Sequence, residues 1–480
     1  MTQVPVHPAE PPGSVGPADR SAIRGPVEGH GPVERFMSSL IRRLAWSRLS
    51  EPKIAVGLSG AGLLLAMLVG ATAPNAETLP IRLPLSSLMP SLNDTFITAT
   101  AILYLADILA CLGLAGMLWA HSQGWRPDPR HLLLASAGFV AVMASLTPIG
   151  SSDTASYAAY GRIASLGGDP YTASPAAALP HTAYQHIVGT LWQHQVSVYG
   201  PFATVIQSFA ASVGRSNPAL TIWVLMIINA AMFVGVGVLL LKISHDPVRA
   251  TLFWTANPVL IMQLVGGGHL DTFVAAAAIC SIFVARRLSG IGGDVLVGVL
   301  IGVACGVKIY GVLIGLGLAW PLLRRHEWLR TARIAAVALL TLALEYTIYG
   351  FSALKPVVGG LKLVTLPSPW RLIQLAAEGA GGNPVVIAIV ISSLWPIALL
   401  VVAWCIHRRI SSDQPLEVVA PFALIFAWIL VAPWVFAWYT AVAWAALTQV
   451  PRNRMTRWLT IVTVFLALFL SSGGQAALRQ

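Results

Sequence analysis

Charge is what this sequence has least of. Only 10% of its 480 residues are Asp, Glu, Lys or Arg, against about 25% in a soluble globular domain, so a soluble fold is excluded at the outset. Acids are the scarcer sign, 19 against 30 Lys and Arg. There are only four cysteines, Cys111, Cys280, Cys305 and Cys405, and all lie in apolar segments. A thiol there behaves as a small core residue, which points away from a disulfide framework and from a cysteine metal cluster. The basic loops also lack a Walker or dinucleotide glycine pattern, which leaves no recognisable place for ATP or a nucleotide.

What replaces charge is apolar length. Hydrophobic residues make up 56% of the chain and mean hydropathy is +0.73. Apolar runs recur near the ~20 residues that a helix needs to cross the hydrocarbon core, so the chain reads as an all-α polytopic membrane protein. They fall near 54–69, 95–120, 132–146, 219–241, 251–265, 272–284, 295–307, 309–323, 334–349, 385–406, 416–431, 435–447 and 459–470, about thirteen spans. The short ones around Lys308 and Pro433 fit tilted or half-helices within a bundle. Residues 1–50 differ: they are Pro- and Gly-rich and read as a disordered cytoplasmic tail without a cleavable signal peptide, ahead of a transmembrane domain over 51–480.

The basic residues orient the bundle. With the N-terminus inside, Arg42, Arg43, Arg126, Arg130, Arg286, Arg287, Arg324, Arg325, Arg330, Arg333, Arg408, Arg409, Arg452, Arg454 and Arg457 collect on the cytoplasmic side. The opposite side keeps Arg82, Arg162, Arg215, Lys308, Lys355, Lys362, Arg371 and Arg479. This asymmetry follows the positive-inside rule. It also explains the net charge of +11 without nucleic acid, because the positive residues come in short clusters between apolar runs.

In this orientation the polar residues with chemical potential lie on the outer face. The connection over 149–218 is the longest between spans, and it opens with SSDTASYAAYGR, which carries Asp153, Tyr157, Tyr160 and Arg162. Asp169, Tyr171, His181, His194 and Tyr199 follow, and the stretch TAYQHIVGTLWQH fits an interfacial amphipathic helix. Asp153 comes just after an apolar run, at the membrane boundary. A carboxylate there suits a general base that takes the proton of a sugar hydroxyl, although on its own the position suits a helix cap more.

Lys308, in GVKIYG, stands alone between two apolar segments; an ammonium at that depth suits the phosphate of a lipid carrier, or a snorkelling side chain. GGGHLD over 266–271 combines a glycine turn with His269 and Asp271, an arrangement that fits close approach of an anion or sugar, or a plain hairpin capped by Asp271. Asp107 and Glu345 lie within spans, where a structural hydrogen bond is the main expectation for Asp107 and a cavity-lining role is equally open for Glu345. Gly298, Gly302 and Gly306 put small residues on one helix face for close packing. Trp438 and Tyr439 form an aromatic turn suited to interface anchoring or to stacking on a sugar.

Taken in order, D-x3-Y-x2-YGR, GGDPY, VYGP, NP-x7-GGGHLD, GVKIYG and WY resemble the actinobacterial polyprenyl-phosphomannose-dependent α-1,6-mannosyltransferases, the MptB-like members of the GT-C superfamily. The motifs run over 153–439, most of the membrane portion. Two departures stand out: SVYGP replaces the more usual S-P-Y-G-P, and a single Asp153 stands where paired acids are common. The resemblance implies a GT-C-like bundle with an outward-facing cavity and interfacial helices in the outer loop. It implies an inverting transferase that moves mannose from a polyprenyl-phosphate carrier to a mannan or glycolipid acceptor at the outer face of the plasma membrane.

On that resemblance Asp153 is the catalytic base. Lys308, Arg371, Arg162 and His269 are the expected donor-phosphate ligands, and Tyr157, Tyr160, Asp169, Tyr199, Asp271, Trp438 and Tyr439 the expected substrate contacts. Neither metal nor cofactor is expected, since no ligand cluster stands at metal-binding spacing. Related enzymes transfer arabinofuranose or other sugars from similar carriers. The rival class, a transporter or flippase of lipid-linked saccharides, predicts two pseudo-symmetric halves; no such internal repeat is visible.

Overall fold

The computed structural model describes residues 51–72, 79–90, 96–359, 364–410 and 414–469. The tail expected over 1–50, with Arg42 and Arg43, lies outside them, as do Lys362 and Arg479. Among the described residues every regular element is helical. The longer helices are α1 (Pro52–Thr72), α2 (Phe96–Ser122), α3 (Pro129–Met143), α4 (Asp153–Ser165), α5 (Pro201–Gly214), α6 (Pro218–Ile243), α7 (Pro247–Phe253) and α8 (Asp271–Arg287). They continue with α9 (Ile291–Val307), α10 (Val312–Arg324), α11 (Trp328–Tyr349), α12 (Pro369–Gly379), α13 (Pro384–Arg409), α14 (Leu416–Val431), α15 (Thr440–Leu447) and α16 (Met455–Phe469).

Five helices, Pro52–Thr72, Thr98–Ser122, Pro218–Ile243, Trp328–Tyr349 and Pro384–Arg409, are long and apolar enough to cross a membrane. Shorter apolar helices accompany them, so the all-α polytopic architecture is borne out.

A recurring local device starts these helices. Asp128, Asn217, Asp246, Asn257, Ser368 and Asn383 each precede a proline, and each side chain accepts a backbone N–H from the first turn. Proline at the first helical position has no N–H to satisfy, and the cap takes care of one that remains. In an apolar solvent such orphan groups are costly, which gives the motif its value here.

Glycines set the closest helix contacts. A Cβ on Gly298 would press on Val337, one on Gly302 on Thr341, and one on Gly306 on the Glu345 carboxylate, so the four-residue stripe of α9 lies flush against α11. This is the close packing its spacing predicts.

Two expectations change. The run over 251–265 is not one span: α7 ends at Phe253, Asn257–Pro258 restarts the chain, and a π-helical turn, Ile261–Gly266, follows. Apolar composition cannot override the missing N–H and ring clash of a proline. The stretch TAYQHIVGTLWQH is likewise not one amphipathic helix but two pieces, Ala183–Ile187 and Thr190–Gln193, with Gly189 between them. The amphipathic helix of this connection is α5, whose Val205, Phe209 and Val213 form an exposed apolar stripe.

The bundle has two chemically different ends. Helix α8 begins at Asp271 and finishes at Arg286 and Arg287, about 25 Å apart at 1.5 Å per residue. At the arginine end, Arg330 and Arg333 hold the buried Asp294 at 3.0 and 2.7 Å, and Arg325 holds Glu417 at 2.6 Å. The Asp271 end carries the aromatic and acidic residues described next.

Candidate active site

Helix α4 presents Asp153. Gly150, at φ 69°, turns the chain, Ser151 Oγ accepts the Asp153 N–H at 3.1 Å, and Ser152 is the N-cap residue. Asp153 is therefore the first helical residue and its carboxylate makes no capping bond. That side chain keeps 25% of its surface open, enough to be reached. Tyr157, one turn along on the same face, donates its hydroxyl to Asp153 Oδ2 at 3.3 Å.

The GGGHLD turn closes the other side. His269 N–H bonds the Leu264 carbonyl at 3.0 Å, and Asn229 of α6 holds the same oxygen, so the histidine is tied to the π-helical turn. Gly268 sits at φ 67° with its Cα against Thr154 of α4, where a Cβ has no room. This brings His269 Nδ1 to 3.4 Å from Asp153 Oδ2, an electrostatic contact rather than an aligned hydrogen bond. The ring is buried and stacks on Trp438 with centroids 3.7 Å apart; Trp438 in turn stacks on Phe436 at 4.5 Å. Burial pushes the Asp153 carboxyl up, but His269, Lys308 and the Tyr157 hydroxyl outweigh it and hold it below the ordinary carboxylate range. Burial, first of all, raises Tyr157 and Tyr199 well above the usual phenol range, so both remain hydroxyl donors.

Lys308 is not alone, as its isolation in the sequence suggests. It is 8% exposed, and its Nζ donates to Asp271 Oδ2 at 2.6 Å. Tyr310 donates to the other oxygen at 2.7 Å, so Asp271 is an ion-pair partner rather than the cap of α8. Tyr439 and Tyr199 present their rings to the ammonium at 4.9 and 5.8 Å. Tyr199 is delivered by VYGP: Gly200 donates to the Val307 carbonyl at 3.2 Å and lies on the Gly306 backbone, where a Cβ would clash. The Tyr199 ring meets Tyr157 edge-on at 4.8 Å, which joins the Lys308 and Asp153 halves into one cluster.

The structure thus brings together Asp153, Tyr157, Tyr199, His269, Asp271, Lys308, Trp438 and Tyr439. Tyr160 borders the cluster, 6.5 Å from Tyr199, with its hydroxyl given to the Gln195 carbonyl. Arg162 lies about two and a half turns beyond Asp153, hence on the opposite face of α4, over the Tyr184 ring. Asp169 closes its own turn by accepting the Tyr171 N–H and the Thr172 hydroxyl. Arg371 lies in the first turn of α12, on a strap that bonds the 431–435 turn through Thr365, Ser368 and Trp370. Glu345 packs on Gly306, and Asp107 is buried inside α2. Sequence reasoning missed Tyr310, Phe436 and Trp428, which stacks on Tyr310 at 4.5 Å. For Tyr310 the signal was present two residues after Lys308.

A helical membrane bundle that gathers an acidic residue, a cation and sugar-sized aromatic rings at one end has the parts a membrane glycosyltransferase requires, and the comparisons with known proteins assign it to that class. The family model described as alpha-(1->6)-mannopyranosyltransferase, N-terminal domain, matches residues 54–324. More than half of the chain is covered, and the protein belongs to this MptA_B family. It is 25% identical to alpha-(1->6)-mannopyranosyltransferase A of Mycobacterium tuberculosis over 83% of this chain and 80% of that protein. It is 26% identical to a probable alpha-(1->6)-mannopyranosyltransferase of Mycolicibacterium smegmatis over 53% of this chain and 41% of that one. No solved structure matches the chain. The resemblance read from the motifs is borne out: this is a glycosyltransferase of the mannosyltransferase type.

Proposed function

We propose that the protein transfers mannose, with inversion and in α-1,6 linkage, from a polyprenyl-phosphate-mannose donor to a mannan or glycolipid acceptor at the outer face of the plasma membrane. The observation that carries this reading is the pairing, within one cluster, of a partly open Asp153 with a buried Lys308 at the end of the bundle opposite Arg286 and Arg287. The positive-inside rule makes the arginine end cytoplasmic. The site then opens where a membrane-borne sugar is available and soluble nucleotide sugars are not.

In this reading an acceptor hydroxyl attacks the anomeric carbon, the carbon–oxygen bond to the carrier phosphate breaks, and the phosphate leaves with the electron pair. Asp153 takes the hydroxyl proton. Lys308 meets the charge that develops on the phosphate, in a dry site where such an interaction is strong. Tyr199 and Tyr439 supply aromatic rings for the sugars, while Trp438, stacked on His269 and Phe436, backs the histidine. His269 acts on Asp153, while Arg162 and Asp169 support the loop. Arg371, on the strap, is assigned in this reading to the carrier rather than the reacting atoms.

The test is transfer by purified protein. Mannosyl-phosphoryl-polyprenol should support product formation, whereas GDP-mannose and other lipid-linked sugars should not. Activity with a nucleotide sugar alone would overturn the reading.

A further inference from the structure

Asp271 is spoken for before any substrate arrives. Its side chain has no exposed surface, one oxygen holds Lys308 at 2.6 Å, and the other accepts from Tyr310 at 2.7 Å. A sugar hydroxyl finds no free face on it. Lys308, by contrast, has three N–H donors: one goes to Asp271, and the ammonium lies 4.9 and 5.8 Å from the ring centroids of Tyr439 and Tyr199.

Building on the phosphate role given to Lys308 above, we propose that Asp271 is a resident counter-ion that competes with the carrier phosphate for Lys308 and so hastens release of the spent carrier. Two anions that share one buried cation repel each other, and the repulsion grows with the charge of the incoming one. The donor is a phosphodiester with one negative charge. Once the sugar has left, the carrier is a phosphomonoester with about −1.5 to −2 at neutral pH. Asp271 therefore works harder against the product than against the donor. It can loosen its hold on Lys308 because other support stays in place: the Tyr310 hydroxyl, and the first turn of α8, whose dipole favours an anion there. Asp271 is in this sense a positioning residue, acting through Lys308.

The experiment measures binding of undecaprenyl phosphate, and of neutral undecaprenol as control, to the full-length protein in nanodiscs. Asp271→Asn keeps the shape and still accepts from Tyr310. It should tighten undecaprenyl phosphate binding by at least about fivefold, a typical coupling between linked sites, and leave undecaprenol unchanged. In turnover, kcat and KM for the donor should fall together as release slows. Tyr310→Phe should act in the opposite direction, weakening undecaprenyl phosphate binding, because an Asp271 deprived of its hydroxyl donor grips Lys308 more firmly. Unchanged or weaker phosphate binding in Asp271→Asn overturns the proposal, as does unchanged or tighter binding in Tyr310→Phe should the first variant not fold. If Lys308→Gln itself leaves undecaprenyl phosphate binding intact, the phosphate role of Lys308 has failed instead.

Discussion

The Nδ1 of His269 lies 3.4 Å from Oδ2 of Asp153, and the ring that carries it is stacked face to face on Trp438. No hydrogen bond reaches either ring nitrogen among the described residues. The imidazole is thus held by stacking and acts on Asp153 through space.

His269→Phe separates the two roles. The phenyl ring keeps the stack and removes two buried ring nitrogens that lack hydrogen bonds, which offsets the lost attraction to Asp153, so thermal stability should largely hold. The Asp153 carboxyl, however, loses one of the influences that hold it low. A depressed carboxyl is ionised down to low pH, so wild-type kcat/KM should lose activity only below the ordinary Asp value of about 3.9. In His269→Phe this acid limb should move to higher pH. An unmoved limb would show that the histidine does not tune Asp153.

Lys308→Gln should weaken use of the lipid donor, with turnover down by roughly 10²- to 10³-fold, the usual cost of removing one group that stabilises developing negative charge. It also leaves Asp271 buried without its cation, a loss of about 3–5 kcal/mol for a broken buried pair. Adding Asp271→Asn should restore thermal stability without restoring transfer. Full activity in Lys308→Gln would mean that the phosphate is held elsewhere.

Orientation is tested by labelling from outside intact cells. A cysteine at position 371 should react and one at position 324 should not. The exposed Cys405 must be replaced first, since a native thiol would blur the readout. Labelling at 324 alone would reverse the bundle and move the site to the cytoplasmic face.

Much of this site was legible because polar residues in an apolar chain are costly to place. Asp153, His269, Asp271, Lys308 and Tyr439 each interrupt or flank a hydrophobic run, and all converge at one end of the bundle. The Gly298, Gly302 and Gly306 stripe foretold its helix contact from spacing alone. Pairing was not legible. Nothing local tells Lys308 that its carboxylate is Asp271, on the neighbouring helix, and the ion pair is a product of helix packing. Arg162 was grouped with Asp153 by proximity in the chain, although helical periodicity turns it to the other face of α4. The run over 251–265 looked like one span because its hydropathy is continuous, while the Asn257–Pro258 step that breaks it occupies only two residues.

The most direct test of the account is Asp153→Asn in purified protein. Asparagine preserves the shape, and the Asp153 carboxylate makes no capping bond that the change could remove, so thermal stability and undecaprenyl phosphate binding should be retained. An amide cannot take the acceptor proton at neutral pH, so single-turnover mannosyl transfer should fall by ~10²- to 10⁴-fold, the usual contribution of a general base. Near-normal transfer from a stable, donor-binding Asp153→Asn protein would contradict the account.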